Sequence, residues 1–286
     1  MNPDQVRAVL ARWFPDGELV ISRAEGGVST PVFRALVGEE QFWVRLGEEP
    51  RERRDGEVAA HRLLRAAGVP VPNVIRYEVA PPELDRSITL TSHLTGRSLA
   101  GIQVAPWLPA LAADVGRLLA RINNIPVRGF GWASASEEHG VPAGEHRSRS
   151  GWTREYVDAV RMVRESGVLD ASALDHLQAA IERWTRILDR TTAALAHGDF
   201  DTTHIYVDPE DGTLTGVIDL GELRGADPLY DLGHLLLHDG EVGRPKLFPH
   251  ILDGYAEIAP LPDDAMAQIR LQALVIGTRA LSIQLQ

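Results

Sequence analysis

Cysteine is absent from the 286 residues, which excludes a structural disulfide, a thiolate zinc site, an iron–sulfur cluster and a cysteine nucleophile. Lysine is nearly absent as well. Lys246 is the only one, so every other fixed side-chain cation is an arginine. No run reaches the roughly 18 apolar residues that a membrane span needs. Residues 1–20 carry Asp4, Arg7, Arg12, Asp16 and Glu18 and lack the apolar segment of a signal peptide, so a cytoplasmic location is the expectation. Positive charge is in deficit, with 29 Lys and Arg against 40 Asp and Glu, for a formal net charge of −11. Phosphate backbones require clustered cations, so this balance argues against nucleic acid as a partner and suits a cationic small molecule. What is present, 44% hydrophobic and 24% charged residues, is the composition of a globular protein and excludes collagenous or disordered classes. The length admits one large domain or two packed lobes.

Along the chain, Val6, Val9, Leu10 and Trp13 recur at helical steps and predict an opening helix from Asp4 to Trp13. Leu19 to Arg23, Pro31 to Val37 and Gln41 to Leu46 predict an antiparallel meander, with Gly38-Glu39-Glu40 as a hairpin connection. Glu25 to Thr30, between the first two runs, is a glycine-containing loop rich in backbone and hydroxyl donors. Arg53 to Ala67 predicts a helix ended by Gly68 and the breakers Pro70 and Pro72. Val74 to Tyr77 and Ile88 to Thr91 predict two more strands, which makes residues 1–91 a small β lobe. Residues 92–286 read as a larger, mainly helical lobe, clearest at Leu108 to Ile122, Arg154 to Glu165 and Ala171 to Leu188. Short β runs interrupt it at Ala193 to Ala196, Ile205 to Asp208 and Leu214 to Leu220. Leu229 to Leu237 and a helical tail close the chain, and Ser134 to Ser150 reads as a mobile loop.

Chemistry concentrates in His197-Gly198-Asp199-Phe200-Asp201-Thr202-Thr203-His204, followed by Asp219-Leu220-Gly221. An Asp after His-Gly can orient a substrate hydroxyl or take its proton. A second Asp on an adjacent hairpin, with a histidine between them, can hold a divalent metal, since carboxylate oxygens suit Mg²⁺ and imidazole adds a nitrogen ligand. The spacing is that of a kinase catalytic loop, in which a base Asp and a metal-binding residue lie five apart and an Asp-x-Gly segment follows. His234 and His238, four apart, lack the Glu placement of a zincin and read as structural or substrate-facing.

His-Gly-Asp, Asp219-Leu220-Gly221-Glu222 and Gly225-Ala226-Asp227-Pro228-Leu229-Tyr230-Asp231-Leu232 together resemble the aminoglycoside phosphotransferase family, macrolide phosphotransferases included. The resemblance implies an α+β, protein-kinase-like fold of two lobes, the smaller antiparallel with one helix. It implies an O-phosphotransferase that uses ATP or GTP with Mg²⁺. Asp199 would engage the acceptor hydroxyl, His204 and Asp219 would hold Mg²⁺, and His197 and Asp231 would be structural. Gly26, Gly27, Ser29, Thr30 and Arg45 would contact the nucleotide, Glu57 would pair with Arg45, and the hinge Ser92, His93 and Leu94 would read the base. Asp201, Glu222, Asp239 and Glu241 are the acids expected at a cationic substrate, an aminoglycoside or macrolide-type antibiotic.

Two positions depart from the commonest pattern. Arg45 stands where kinases carry Lys, and a bidentate guanidinium can hold phosphate with altered geometry. His204 stands where Asn is usual, a departure that macrolide phosphotransferases share. The alternatives are a metabolic kinase acting on a sugar, choline-like or amino-alcohol substrate, and an inactive nucleotide-binding regulatory protein.

Overall fold

The computed structural model describes residues 3–24, 32–50, 52, 54–134, 142–188 and 192–286. The expected nucleotide loop with Gly26, Gly27, Ser29 and Thr30 lies outside the described residues, as does Arg53. The chain divides into two compact units, Met1–Thr95 and Gly96–Gln286. A boundary after Thr91 would cut a strand, because Ser92 is still paired with Phe42.

The first unit opens with α1 (Pro3–Trp13), whose Val6, Val9, Leu10 and Trp13 are buried. Strands β1 (Leu19–Arg23), β2 (Val32–Val37) and β3 (Glu40–Leu46) precede α2 (Asp55–Ala66), and β4 (Val74–Glu78) and β5 (Ile88–Ser92) follow it. The sheet order is β1-β2-β3-β5-β4, antiparallel throughout. Alternation along β3 sends Phe42, Val44 and Leu46 into a core shared with Phe33, Leu90 and the apolar side of α1. The same period of two turns Trp43 and Arg45 to the opposite face, which is how a strand with a buried core can present a guanidinium.

The second unit contains β6 (Arg97–Ser98), α3 (Leu108–Asn123), β7 (Phe130–Ser134), β8 (Ala143–His146), α4 (Arg149–Ser166) and α5 (Ala171–Leu188). Then come β9 (Ala194–Ala196), β10 (Ile205–Val207), β11 (Leu214–Val217), β12 (Arg224–Ala226), α6 (Tyr230–His238), α7 (Phe248–Ile258) and α8 (Ala265–Gln284). Its strands form two small sheets, β11-β10-β6 and β8-β7-β12-β9. An aromatic core of Trp152, Tyr156, Trp184, Phe130 and Tyr230 joins α4 and α5 to the second sheet. Helices α3 and α7 approach at backbone distance: a Cβ on Gly116 would stand 2.0 Å from the Ile251 carbonyl oxygen.

Three expectations change. The segment read as a mobile loop from Ser134 to Ser150 contains β8, which pairs with β7, and the start of α4. The last β run stops at Val217, since Leu220–Glu222 is a 3-10 turn. The helical tail that follows Leu237 is two helices, α7 and α8, separated by residues 259–264. Among the described residues, no helix is long and apolar enough to cross a membrane.

Candidate active site

The loop between β9 and β10 is held from behind by one carboxylate. Asp231, fully buried at the start of α6, accepts the His197 amide (2.8 Å) and an Asn123 Nδ2–H (2.9 Å) on Oδ2, and the Gly198 amide (2.9 Å) on Oδ1. Gly198 has φ +88°, and a Cβ there would lie 1.9 Å from the Glu222 carbonyl oxygen, so His-Gly-Asp needs its glycine for both conformation and space. His197 is buried, with Nε2 donating to the Ile218 carbonyl at 2.9 Å and Nδ1 accepting the Asp199 amide at 3.4 Å. Those two bonds define a neutral tautomer, consistent with burial pushing its imidazole below the ordinary value.

Asp199 follows on the exposed side of this turn, its side chain 37% accessible. Burial works to raise its carboxyl, but the hydrogen bond with His234 and that ring's charge hold it well below the usual carboxylate range. It is a carboxylate at neutral pH. His204 donates Nδ1–H to the Asp199 carbonyl oxygen at 2.8 Å, so in the neutral ring Nε2 carries the lone pair. That Nε2 lies 3.8 Å from Asp219 Oδ2.

Asp219 has φ +62°, and among the described residues it is the sole non-glycine with positive φ. Such a conformation costs on the order of 1 kcal/mol and collects at functional sites. Asp199, Asp201 and His204 also bring one potential ligand atom each within 4.8 Å of one another. There, however, Asp201 is taken by Arg244 and Thr203, and Asp199 Oδ1 by His234. His204 Nε2 and Asp219 Oδ2, 3.8 Å apart, are a nitrogen and an oxygen donor of the kind that suits a hard divalent cation completing its shell with other oxygens.

The four acids expected at the substrate are placed as follows. Asp201, 5% exposed, accepts from Thr203 N (2.6 Å), contacts Thr203 Oγ1 and pairs with Arg244 Nη1 at 2.8 Å. Asp239 caps α7, its Oδ1 accepting the amides of Leu247 (2.7 Å) and Phe248 (3.0 Å). Both have internal structural partners. Glu241 lies 3.0 Å from His238 and 3.5 Å from Arg244. Glu222 is 2.5 Å from Arg224, yet burial raises its carboxyl above the ordinary value.

In the first unit, Arg45 Nη1 meets Glu57 Oε1 at 3.0 Å, and Arg54 Nη1 takes the other oxygen at 2.9 Å. Of the residues expected at the hinge, Ser92 ends β5, and its amide is spent on the Asn73 carbonyl oxygen at 2.9 Å. His93 Nδ1 accepts from Trp43 Nε1 at 3.1 Å, and burial lowers its imidazole. Leu94 follows outside any strand.

In the second unit Asn123, Arg244 and His234, the last read from sequence only as structural or substrate-facing, contact the catalytic loop, and in the first unit Arg54 contacts Glu57. Only His234 carried a signal, its spacing of three from Asp231 on one helix. The others reach their partners through tertiary packing.

The antiparallel sheet unit and the mainly helical unit are those of a protein-kinase-like fold. The phosphotransferase enzyme family (APH) matches residues 20–270, and the chain belongs to that family, so its coarse activity is kinase-type phosphotransfer to a small molecule. Solved structures of the same fold include a thermostable mutant of aminoglycoside phosphotransferase APH(4)-Ia in ternary complex with AMP-PNP and hygromycin B. It is 18% identical, covers 98% of this chain and 91% of that one, and has a TM-score of 0.70. The GDP complex of aminoglycoside 2′-phosphotransferase-IIIa is 17% identical over 99% and 90% of the two chains, at a TM-score of 0.65. Aminoglycoside-3′-phosphotransferase of type VIII is 20% identical over 96% and 98%, at a TM-score of 0.54.

Proposed function

We propose that the protein transfers the γ-phosphoryl group of ATP or GTP to a hydroxyl of a cationic small molecule, an aminoglycoside or macrolide-type antibiotic. The observation that carries this reading is the catalytic loop: the Asp199 carboxylate beside a His204 ring whose Nε2 lies 3.8 Å from Asp219 Oδ2. Asp199 would align the acceptor hydroxyl and receive its proton as the new O–P bond forms and the β–γ bridging bond breaks, releasing the nucleoside diphosphate. With one carboxylate oxygen already facing His234, the other is left to orient the acceptor. His204 and Asp219 would hold Mg²⁺, which when bound supplies charge neutralisation at the phosphate oxygens. APH(4)-Ia was solved with AMP-PNP and hygromycin B and the 2′-phosphotransferase with GDP, which supports leaving both ATP and GTP as candidate donors here. The net charge of −11 favours a cationic acceptor.

Incubation with Mg²⁺ and γ-labelled ATP or GTP tests this against a panel of hygromycin B, a second aminoglycoside, a macrolide, choline and a hexose. Label on an antibiotic is expected. Label confined to choline or the hexose would make the protein a metabolic kinase, and a nucleotide-induced rise in Tm with no labelled product would make it a binding protein.

Arg45 has its own test. Loss of one charge-assisted phosphate contact costs roughly 1.5 to 3 kcal/mol, so Arg45→Ala should weaken nucleotide affinity about ten- to a hundredfold. Arg45→Lys should recover part of that loss, because the ammonium restores charge without the fork. Glu57→Gln should give a milder defect, with Arg54 still beside it. Nucleotide titration of the three variants measures the order, and unchanged affinity in Arg45→Ala would remove both residues from the site.

A further inference from the structure

Asp231 and His234 stand three residues apart on α6, so one helical turn carries both side chains to the same side. Asp231 takes the amides of His197 and Gly198, and His234 meets the loop further along. His234 Nε2 lies 3.2 Å from Asp199 Oδ1, its Nδ1 lies 3.3 Å from the Phe200 carbonyl oxygen, and the residue is 7% exposed. A carbonyl oxygen and a carboxylate oxygen only accept hydrogen bonds, so both ring nitrogens face acceptors. A neutral imidazole can serve just one of them, and the imidazolium serves both. The groups around the ring agree. Burial opposes its charge, but the bond to Asp199 and the carboxylates of Asp199, Asp231 and Asp201 outweigh it and raise the imidazole above its ordinary value. The neighbouring His238 ring is 4.9 Å away, centroid to centroid.

The two oxygens of Asp199 are thereby made unequal. Oδ1 is held by a buried cationic donor. Oδ2 has His204 Nδ1 at 3.7 Å, beyond hydrogen-bond reach, and that nitrogen is already committed to the Asp199 carbonyl oxygen.

We propose that His234 is a positioning residue for phosphoryl transfer: by holding Asp199 Oδ1 it fixes the carboxylate and presents Oδ2 to the acceptor hydroxyl. This rests on the reading of Asp199 as the group that meets the acceptor. A carboxylate on a short exposed turn would otherwise rotate about χ1 and χ2, and misplacing such a group is costly because transfer requires a near-attack geometry.

The test compares His234→Leu and His234→Met, which remove the donors at similar volume, with His234→Gln, whose amide keeps an N–H near the place of Nε2. Each is assayed with Mg²⁺, ATP and GTP on the acceptor panel above. The apolar variants should lose about tenfold or more in kcat with the nucleotide KM within about threefold of the parent, and His234→Gln should recover most of the loss. In an Asp199→Ala background, His234→Leu should cost no further activity, because the two residues act as one unit. Apolar variants with parental kcat, or His234→Gln no better than His234→Leu, would overturn the proposal while a dead Asp199→Ala leaves the function standing. An active Asp199→Ala, or a parent silent on the whole panel, would overturn the functional reading and this proposal with it. Should neither apolar variant fold, ¹⁵N chemical shifts of the parent's His234 ring at pH 7 decide. Two protonated nitrogens are expected, and a bare Nε2 would refute the arrangement.

Discussion

Asp199→Ala is expected to reduce phosphoryl transfer by about a hundredfold or more, the usual contribution of a positioned proton acceptor, while nucleotide binding stays close to that of the parent. The separation follows from the loop's geometry. Asp199 Oδ1 belongs to His234, and the atoms that fit a cation are the His204 nitrogen and the Asp219 oxygen. Removing the Asp199 carboxylate leaves those two in place, and it leaves the His204 Nδ1 bond intact because that bond goes to the Asp199 backbone. Single-turnover transfer and nucleotide titration on the same preparation measure the two effects. Turnover within tenfold of the parent would take Asp199 out of the chemistry.

The largest loss of stability is expected at Asp231, although this residue meets no substrate in the reading given above. Its carboxylate is the shared acceptor for the His197 amide, the Gly198 amide and the Asn123 side-chain amide. Asp231→Ala would strand three buried donors that water cannot reach. Each unpaired buried donor costs about 1 to 3 kcal/mol, and with partial relaxation the total should reach roughly 3 to 5 kcal/mol. Asp231→Asn keeps one accepting oxygen but turns an NH₂ toward donors, so it should fall between the parent and Asp231→Ala. Chemical unfolding followed by tryptophan fluorescence reads this in the second unit, whose aromatic core contains Trp152 and Trp184. A midpoint for Asp231→Ala equal to the parent's would show that the loop does not depend on its anchor. Because the same bonds shape the turn that carries Asp199, turnover should fall together with stability.

Much of the fold was legible because it is written in local periodicity. The step of three and four in Val6, Val9, Leu10 and Trp13 marks α1. The alternation in Phe42 to Leu46 marks β3 and already implies that Arg45 leaves the core face. The short strands of the second unit were harder. Phe130–Ser134, Ala143–His146 and Arg224–Ala226 are three to five residues long, with glycine in each, and carry no readable period. Their pairing is set by hydrogen bonds to chain distant in sequence, as when Arg224 meets both Ala196 and Trp132.

The sequence by itself determined the order of the chemistry: His-Gly-Asp, a histidine five residues on, an Asp-x-Gly, and an arginine in the third strand with an acid on the following helix. Motifs of this kind are contiguous, and their spacing along a strand or turn already constrains where each atom can go. Which acids are left for a ligand was decided only by the tertiary structure. Asp201 and Asp239 look as available in sequence as Asp199 does, yet one is bound to Arg244, 43 residues away, and the other caps a helix. Asp199, in turn, receives its partner from His234, on a helix that the chain reaches only after three more strands. A carboxylate's role depends on the donors and charges within a few ångströms of it. Folding assembles those from remote positions, and a local pattern such as the Asp231–His234 spacing does not say which loop carboxylate they will meet.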